Sequence, residues 1–128
     1  MAPLQLAEVS QADAAHVMRA AGLRTAFDFH TAEELAAGGK CFALTTEKGE
    51  GVMVLSRAGD VLWIDGAGVC HGEGLTEVGL ELVEVTASRI GCSAVGFQTT
   101  RRGLVRRAER AGYEVVGYLM KKAVPNGR

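Results

Sequence analysis

Between Cys41 and Val69 three apolar, β-branched runs follow one another with only two tight turns between them, and no other stretch limits the fold as strongly. The runs are Cys41 to Thr46, Gly51 to Ser56 and Val61 to Val69; the turns are Lys48-Gly49 and Ala58-Gly59-Asp60. Turns this short join only antiparallel neighbours, because a parallel crossover needs a dozen or more residues. The stretch therefore reads as an antiparallel meander. Its last run contains Gly66 and Gly68, and glycine inside a strand points to a bulge or to a backbone that something approaches closely.

The flanking segments alternate helix and strand. Leu4, Leu6 and Val9 alternate with polar neighbours as in a short strand. Ser10 with Asp13 is a variant capping box that opens a helix from Gln11 to Ala21, stopped by Gly22. Thr31 with Glu34 is the fuller box, opening a short helix that ends at Gly38-Gly39. Downstream, Leu75, Val78, Gly79, Leu82, Val85 and Ile90 form a helical apolar stripe. Glu77, Glu81, Glu84 and Ser88 lie opposite it, and Gly91 ends the helix. Ala94 to Thr99 reads as a strand, Arg101 to Ala111 as a helix before Gly112, and Glu114 to Val124 as a last strand. Hairpins followed by a βαβ-like half give the α/β (α+β) class: a mixed, mostly antiparallel sheet with helices on both faces.

A chain of 128 residues suits one such domain, expected over residues 1–124, with 125–128 as a flexible tail. Hydrophobic residues at 48% with a net charge of −1 exclude intrinsic disorder. Three cysteines (Cys41, Cys70 and Cys92) are an odd number with no C-x-x-C pair, and the start Met-Ala-Pro-Leu-Gln is no signal peptide. No apolar run approaches the ~18 residues that span a bilayer. The expectation is a soluble, cytoplasmic, reduced protein with no membrane segment.

The small net charge hides an asymmetry. Residues 1–92 hold 6 basic and 13 acidic side chains, and residues 93–128 hold 8 basic and 2 acidic. Much of the basic excess lies in the Arg101-to-Arg110 segment, where Arg102, Arg106, Glu109 and Arg110 share one helical face. Arg101 and Arg102 stand at the helix N-terminus, where positive charge opposes the dipole. Three readings stand open: a phosphate contact, pairing with the Glu77–Glu81–Glu84 stripe of this chain or a neighbour, or a solvated face. No aromatic residues interleave with the arginines, which argues against a nucleic-acid platform.

The order of elements and three local phrases resemble the GNAT family of acyl-CoA-dependent N-acyltransferases. The phrases are Val69-Cys70-His71-Gly72-Glu73-Gly74-Leu75-Thr76, Arg89-Ile90-Gly91-Cys92-Ser93-Ala94-Val95-Gly96-Phe97 and Glu109-Arg110-Ala111-Gly112-Tyr113-Glu114-Val115-Val116-Gly117-Tyr118. The resemblance covers about residues 50–123 best, and implies a splay beside the strand ending near Val69. It also implies acetyl-CoA or another acyl-CoA as cofactor. Backbone from Ala67 to Val69 would hold the pantetheine arm, and the loop from His71 through Gly72 and Gly74 to Thr76 would hold the diphosphate at a helix N-terminus. The loop departs from the family's pattern: His71 takes the place of its Gln or Arg and Thr76 that of its last Gly or Ala, so of the three marked places only Gly74 agrees. Glu73 and Glu77 would repel a diphosphate.

The family's frequent catalytic Tyr is replaced by Ala108 and its Asn by Arg101, and the phosphate reading of the arginine helix makes Arg101 a cofactor-binding candidate at the CoA 3′-phosphate. Asp65, directly or through an ordered water, and His71 are the candidate bases. Asp65 falls by alternation on the face of Val61 and Trp63, and also reads as a strand-end carboxylate capping a turn. The acceptor amine, on a small molecule or a protein, would lie near Arg24, Asp28, His30, Glu33 and Glu34, with Phe27 and Phe29 packing that segment down. Cys70, His71, Asp65 and Glu73 match no zinc spacing, so no metal is expected. Two functions stand side by side: an N-acyltransferase, and a non-catalytic binding or assembly module, acting as a homo-oligomer or on a protein partner through the arginine helix.

Overall fold

The computed structural model describes residues 5–21, 31–72 and 74–125. In chain order the elements are β1 (Gln5–Glu8), α1 (Gln11–Ala20), α2 (Ala32–Ala37), β2 (Lys40–Thr46), β3 (Gly49–Ala58), β4 (Val61–Gly72), α3 (Leu75–Arg89), β5 (Ala94–Phe97) and α4 (Arg102–Arg110). Both capping residues perform as their spacing predicts. The Asp13 N–H donates to Ser10 Oγ and the Glu34 N–H to Thr31 Oγ1, each at 3.1 Å.

The strands form one sheet in the order β1-β2-β3-β4-β5. The first three pairings are antiparallel and β4–β5 is parallel, joined through α3. The meander thus extends beyond the runs read from sequence, because β3 and β4 continue their ladder to Gly49 and Gly72.

Alternation along the strands feeds two cores. On one face Cys41, Val52 and Val54 pack with Ala14, Ala15 and Met18 of α1 and Ala32 and Ala36 of α2. On the other, Leu44, Met53, Leu55 and Leu62 pack with Val83 and Ala87 of α3 and with Cys92. Met18, Val54 and Val83 are fully enclosed, each worth about 1.5–3 kcal/mol of apolar burial. The helix-to-sheet order is further fixed at the β3–β4 turn, where Arg57 donates to the carbonyls of Gly59 and Ile90 and Ser93 Oγ donates to Asp60.

Two expectations change. The strand expected over Ala94–Thr99 ends at Phe97. The strand expected over Glu114–Val124 does not form. Its apolar pattern is present, but a strand exists only as a paired element, and here β5 remains the edge of the sheet while the segment stays exposed. Leu4, Gly22, Arg24, Phe27, Asp28, Phe29, His30, Glu73 and residues 126–128 lie outside the described residues, so the readings made on them do too.

Candidate functional site

The centre of interest is the place where β4 and β5 part. Their parallel ladder runs from Val61↔Ala94 to Ile64↔Phe97, and beyond it β4 continues to Gly72 with its outer edge unpaired among the described residues. Asp65 is the first residue past the last pair. It is also a bulge: Leu55 pairs with Ile64 and Val54 with Gly66, which leaves Asp65 as the extra residue on β4.

This bulge reverses the strand. Before it, Leu62 and Ile64 belong to the α3 core. After it, Gly66 and Gly68 face α1, since a Cβ on either would lie 3.0–3.1 Å from Met18 atoms. The strict alternation that would set Asp65 with Val61 and Trp63 therefore breaks at Asp65 itself. Asp65 is half-buried, and Ala67 and Val69 are exposed along the free edge. A second bulge follows, where Gly51 pairs with Val69 and Glu50 with His71, leaving Cys70 as the extra residue.

The glycines of this stretch separate by what lies in front of them. Gly66 and Gly68 admit α1, so the close approach inferred at these positions is made by the protein's own helix. A Cβ on Gly72 would collide with the Lys48 carbonyl oxygen, so Gly72 is required by the β3–β4 hairpin. Gly74 differs: it takes the left-handed conformation (φ 70°) as the N-cap of α3, and a Cβ there would meet only Lys48 Cδ, at 3.9 Å. It is the glycine of this loop with open space before it.

In sequence Lys48 reads only as a turn residue beside Gly49. Register brings it to the site, because the hairpin sets residues 48 and 49 against Gly72 and so carries the Lys48 chain beside Gly74. The Lys48 side chain thus passes beside the start of α3, whose first turn carries Glu77. His71 lies exposed on the same stretch, its Nε2 3.6 Å from Glu50 Oε2 directly across the ladder. Thr76 is half-buried in the first turn of α3. Arg101 is the exposed N-cap of α4, its N–H donating to Thr99 Oγ1 at 3.0 Å, at the C-terminal end of β5.

His71 and Asp65 are not brought together. Six residues of strand separate them, roughly 20 Å at about 3.3 Å per residue. Tyr113 is occupied elsewhere: its hydroxyl donates to Glu84 Oε2 at 3.0 Å, and its ring meets Phe97 at a centroid distance of 5.6 Å. Burial first, and the Glu84 carboxylate second, hold this hydroxyl protonated well above its ordinary range. Glu33, in the segment assigned to the acceptor, forms an ion pair with Arg19 of α1. Among the described residues no three His, Cys, Asp or Glu side chains are grouped to hold a metal, and no helix is long and apolar enough to cross a membrane.

A mixed sheet of this order, opened between two parallel strands and flanked by α1 and α2 on one face and α3 on the other, is a GNAT-like fold. Solved acetyltransferases bear this out across nearly the whole chain. The similarity to an acetyltransferase of Trypanosoma brucei has a TM-score of 0.56 at 18% identity, covering 95% of this chain and 100% of that one. With AAC(6')-Iy, solved with the bisubstrate analog CoA-S-monomethyl-acetylneamine, the TM-score is 0.52 at 13% identity, covering 97% and 99%. A protein of Thermus thermophilus gives 0.53 at 18% identity, covering 97% and 98%. No family model and no curated protein matches the sequence.

Proposed function

We propose that the protein is an acyl-CoA-dependent N-acyltransferase that transfers an acetyl group to an amine. The observation that carries this reading is the splay: a β4 edge that is unpaired among the described residues begins at Asp65 and leads to an α3 N-terminus with open space and the Lys48 side chain before it. Unpaired strand backbone suits the two amides of a pantetheine arm, and the helix N-terminus with Lys48 suits a diphosphate. The residues present therefore fit an acyl-CoA. Ala67 and Val69 would hold the arm, Gly74, Thr76 and Lys48 the diphosphate, and His71 and Arg101 the rim. The bound thioester supplies the activated acyl carbon.

The chain's own work is to place the amine and remove its proton. Asp65, at the head of the opening, is the base, directly or through one water. His71 lies too far along the strand to share that task, and it serves the diphosphate end. With Ala108 in the family's tyrosine place and Tyr113 engaged by Glu84, the departing thiolate takes its proton from water. AAC(6')-Iy, solved with a CoA-linked analog, supports acyl-CoA as the cofactor class. A cytoplasmic location accords with this reading.

That same lack of an acid favours a second reading, a non-catalytic module on the same fold. Calorimetric titration with acetyl-CoA separates the two. The enzyme reading expects micromolar binding, weakened about tenfold in Lys48→Ala, as loss of one partly screened charge contact allows. It further expects Asp65→Asn to retain binding and lose acyl transfer to amines. No binding at millimolar ligand would remove the enzyme reading.

A further inference from the structure

The chain's single tryptophan stands outside both cores. Its neighbours Leu62 and Ile64 belong to the α3 core, which sets Trp63 on the opposite face of β4, where it is half-buried. Tryptophan carries one of the largest apolar surfaces of any side chain, so a place outside the core forgoes stabilisation that burial would give.

The indole rests on β5. Trp63 pairs with Gly96 across the parallel ladder, and a Cβ on Gly96 would fall 2.7 Å from Cζ3, 2.9 Å from Cε3 and 3.1 Å from Cη2 of the ring. Three consecutive ring atoms at nearly equal distances mean that the six-membered ring lies flat over Gly96, since an edge-on ring would leave the outer two well behind the nearest. Gly96 has no positive φ, so its backbone does not call for glycine. The ring does, because any side chain at this position would strike it. The pair forms an aromatic plate, one face on the strand and the other turned to the side of the sheet that α1 and α2 cover.

This plate stands at the head of the β4 opening. The last pair of the ladder, Ile64↔Phe97, is one residue beyond it, and Asp65 follows as the bulge. Trp63 and Asp65 are thus roughly 7 Å apart along the strand. Helix α2 borders the same place, since a Cβ on Gly66 would lie 3.4 Å from Leu35 Cδ1. An indole face attracts cations more strongly than other aromatic rings, and a carboxylate beside it adds a full opposite charge. An apolar group would gain from the plate but lose by desolvating Asp65, so charge complementarity selects a cation.

We propose that Trp63 and Asp65 form an ammonium-binding subsite, which takes the acceptor as an alkylammonium with its charged nitrogen between the indole face and the carboxylate. Resting on the acyltransferase reading, this names the acceptor class: an aliphatic amine, cationic at neutral pH, in preference to an aryl amine, which is neutral there.

The emission of this one tryptophan reports on the subsite without any acyl transfer. Titration of the full-length protein with butylammonium chloride, against sodium chloride at equal ionic strength, is expected to change that emission saturably in the millimolar range. Butanol at the same concentrations is expected to leave it unchanged. Asp65→Asn is expected to weaken butylammonium binding about tenfold. Trp63→Leu, followed by saturation transfer to the butyl protons, is expected to weaken it by a similar factor, and Trp63→Phe by less, in the order of cation–π strength. Gly96→Ala, which requires only that the ring swing aside, is expected to keep its far-ultraviolet circular dichroism and to shift the emission maximum. An equal response to butanol would make the plate an apolar pocket and overturn the proposal. So would no saturable response to butylammonium, an unchanged affinity in Asp65→Asn or Trp63→Leu, or an unmoved emission in Gly96→Ala. Titration with acetyl-CoA tests the acyltransferase reading separately: its failure beside intact butylammonium binding removes that reading and leaves the subsite, and the converse removes the subsite alone.

Discussion

Gly68→Ala is expected to destabilise the protein clearly more than Gly66→Ala, two residues away on the same face. A Cβ on Gly68 would lie 3.1 Å from Met18 Cα, 3.4 Å from Ala21 Cβ and 3.5 Å from Met18 Cγ. The nearest of these atoms is backbone, so only a shift of α1 as a body relieves the contact. A Cβ on Gly66 would meet Met18 Sδ at 3.0 Å and Leu35 Cδ1 at 3.4 Å, which are ends of side chains that can turn aside. Neither glycine has a positive φ, so alanine adds no backbone strain at either place. Each substitution also gains about 0.4–1 kcal/mol by stiffening the unfolded chain. Overpacking costs about 1–3 kcal/mol, which leaves a net loss of roughly 1–2 kcal/mol at Gly68 and close to zero at Gly66. In urea, with a slope of about 2 kcal/mol/M, the midpoint should fall by roughly 0.5–1 M for Gly68→Ala and barely move for Gly66→Ala. An inverted order would refute the reasoning. So would Gly68→Ala with unchanged stability but no acetyl-CoA binding, which would assign that glycine to the ligand and not to α1.

Tyr113 gives a prediction in pH. Its hydroxyl value is raised in the folded state, so the stability it contributes is whole below the ordinary value of about 10 and is lost as pH rises above it. Unfolding midpoints of the wild type should therefore fall more steeply above pH ~10 than those of Tyr113→Phe, and equal slopes would refute the Glu84 contact. Near neutrality Tyr113→Phe should cost no more than about 1 kcal/mol, because the carboxylate left behind is solvated. The cysteines should titrate in two stages with a thiol reagent: Cys70 at once, Cys41 and Cys92 only on unfolding. Burial raises the Cys41 thiol, which also donates to the Ala36 carbonyl at 3.3 Å, and a fast second equivalent would contradict this packing.

Local chemistry wrote much of this fold into the chain. Two tight turns between β-branched runs determine an antiparallel meander whatever lies around them, and Ser10 and Thr31 start their helices because a side-chain oxygen three residues back is enough to satisfy an orphan N–H. The stripe from Leu75 to Ile90 likewise needs only its own spacing to be a helix. Together these gave the class and the order of elements from β1 to α4.

Other features depend on partners distant in sequence, and tertiary structure alone decided them. Period-two alternation assigned Asp65 to a face, but the β3 register inserts a bulge there and turns the rest of β4 over. Gly66 and Gly68 read in sequence as a bulge or a close approach and Gly72 and Gly74 as a ligand loop, yet Gly66 and Gly68 serve α1, Gly72 serves the β3–β4 ladder, and Gly74, the N-cap of α3, faces open space. Lys48 reaches the α3 N-terminus only through the pairing that sets it against Gly72. The segment 114–124 has the pattern of a strand, yet among the described residues no strand pairs with it. A pattern states what a segment can pair with, and whether the partner stands there is a property of the whole fold.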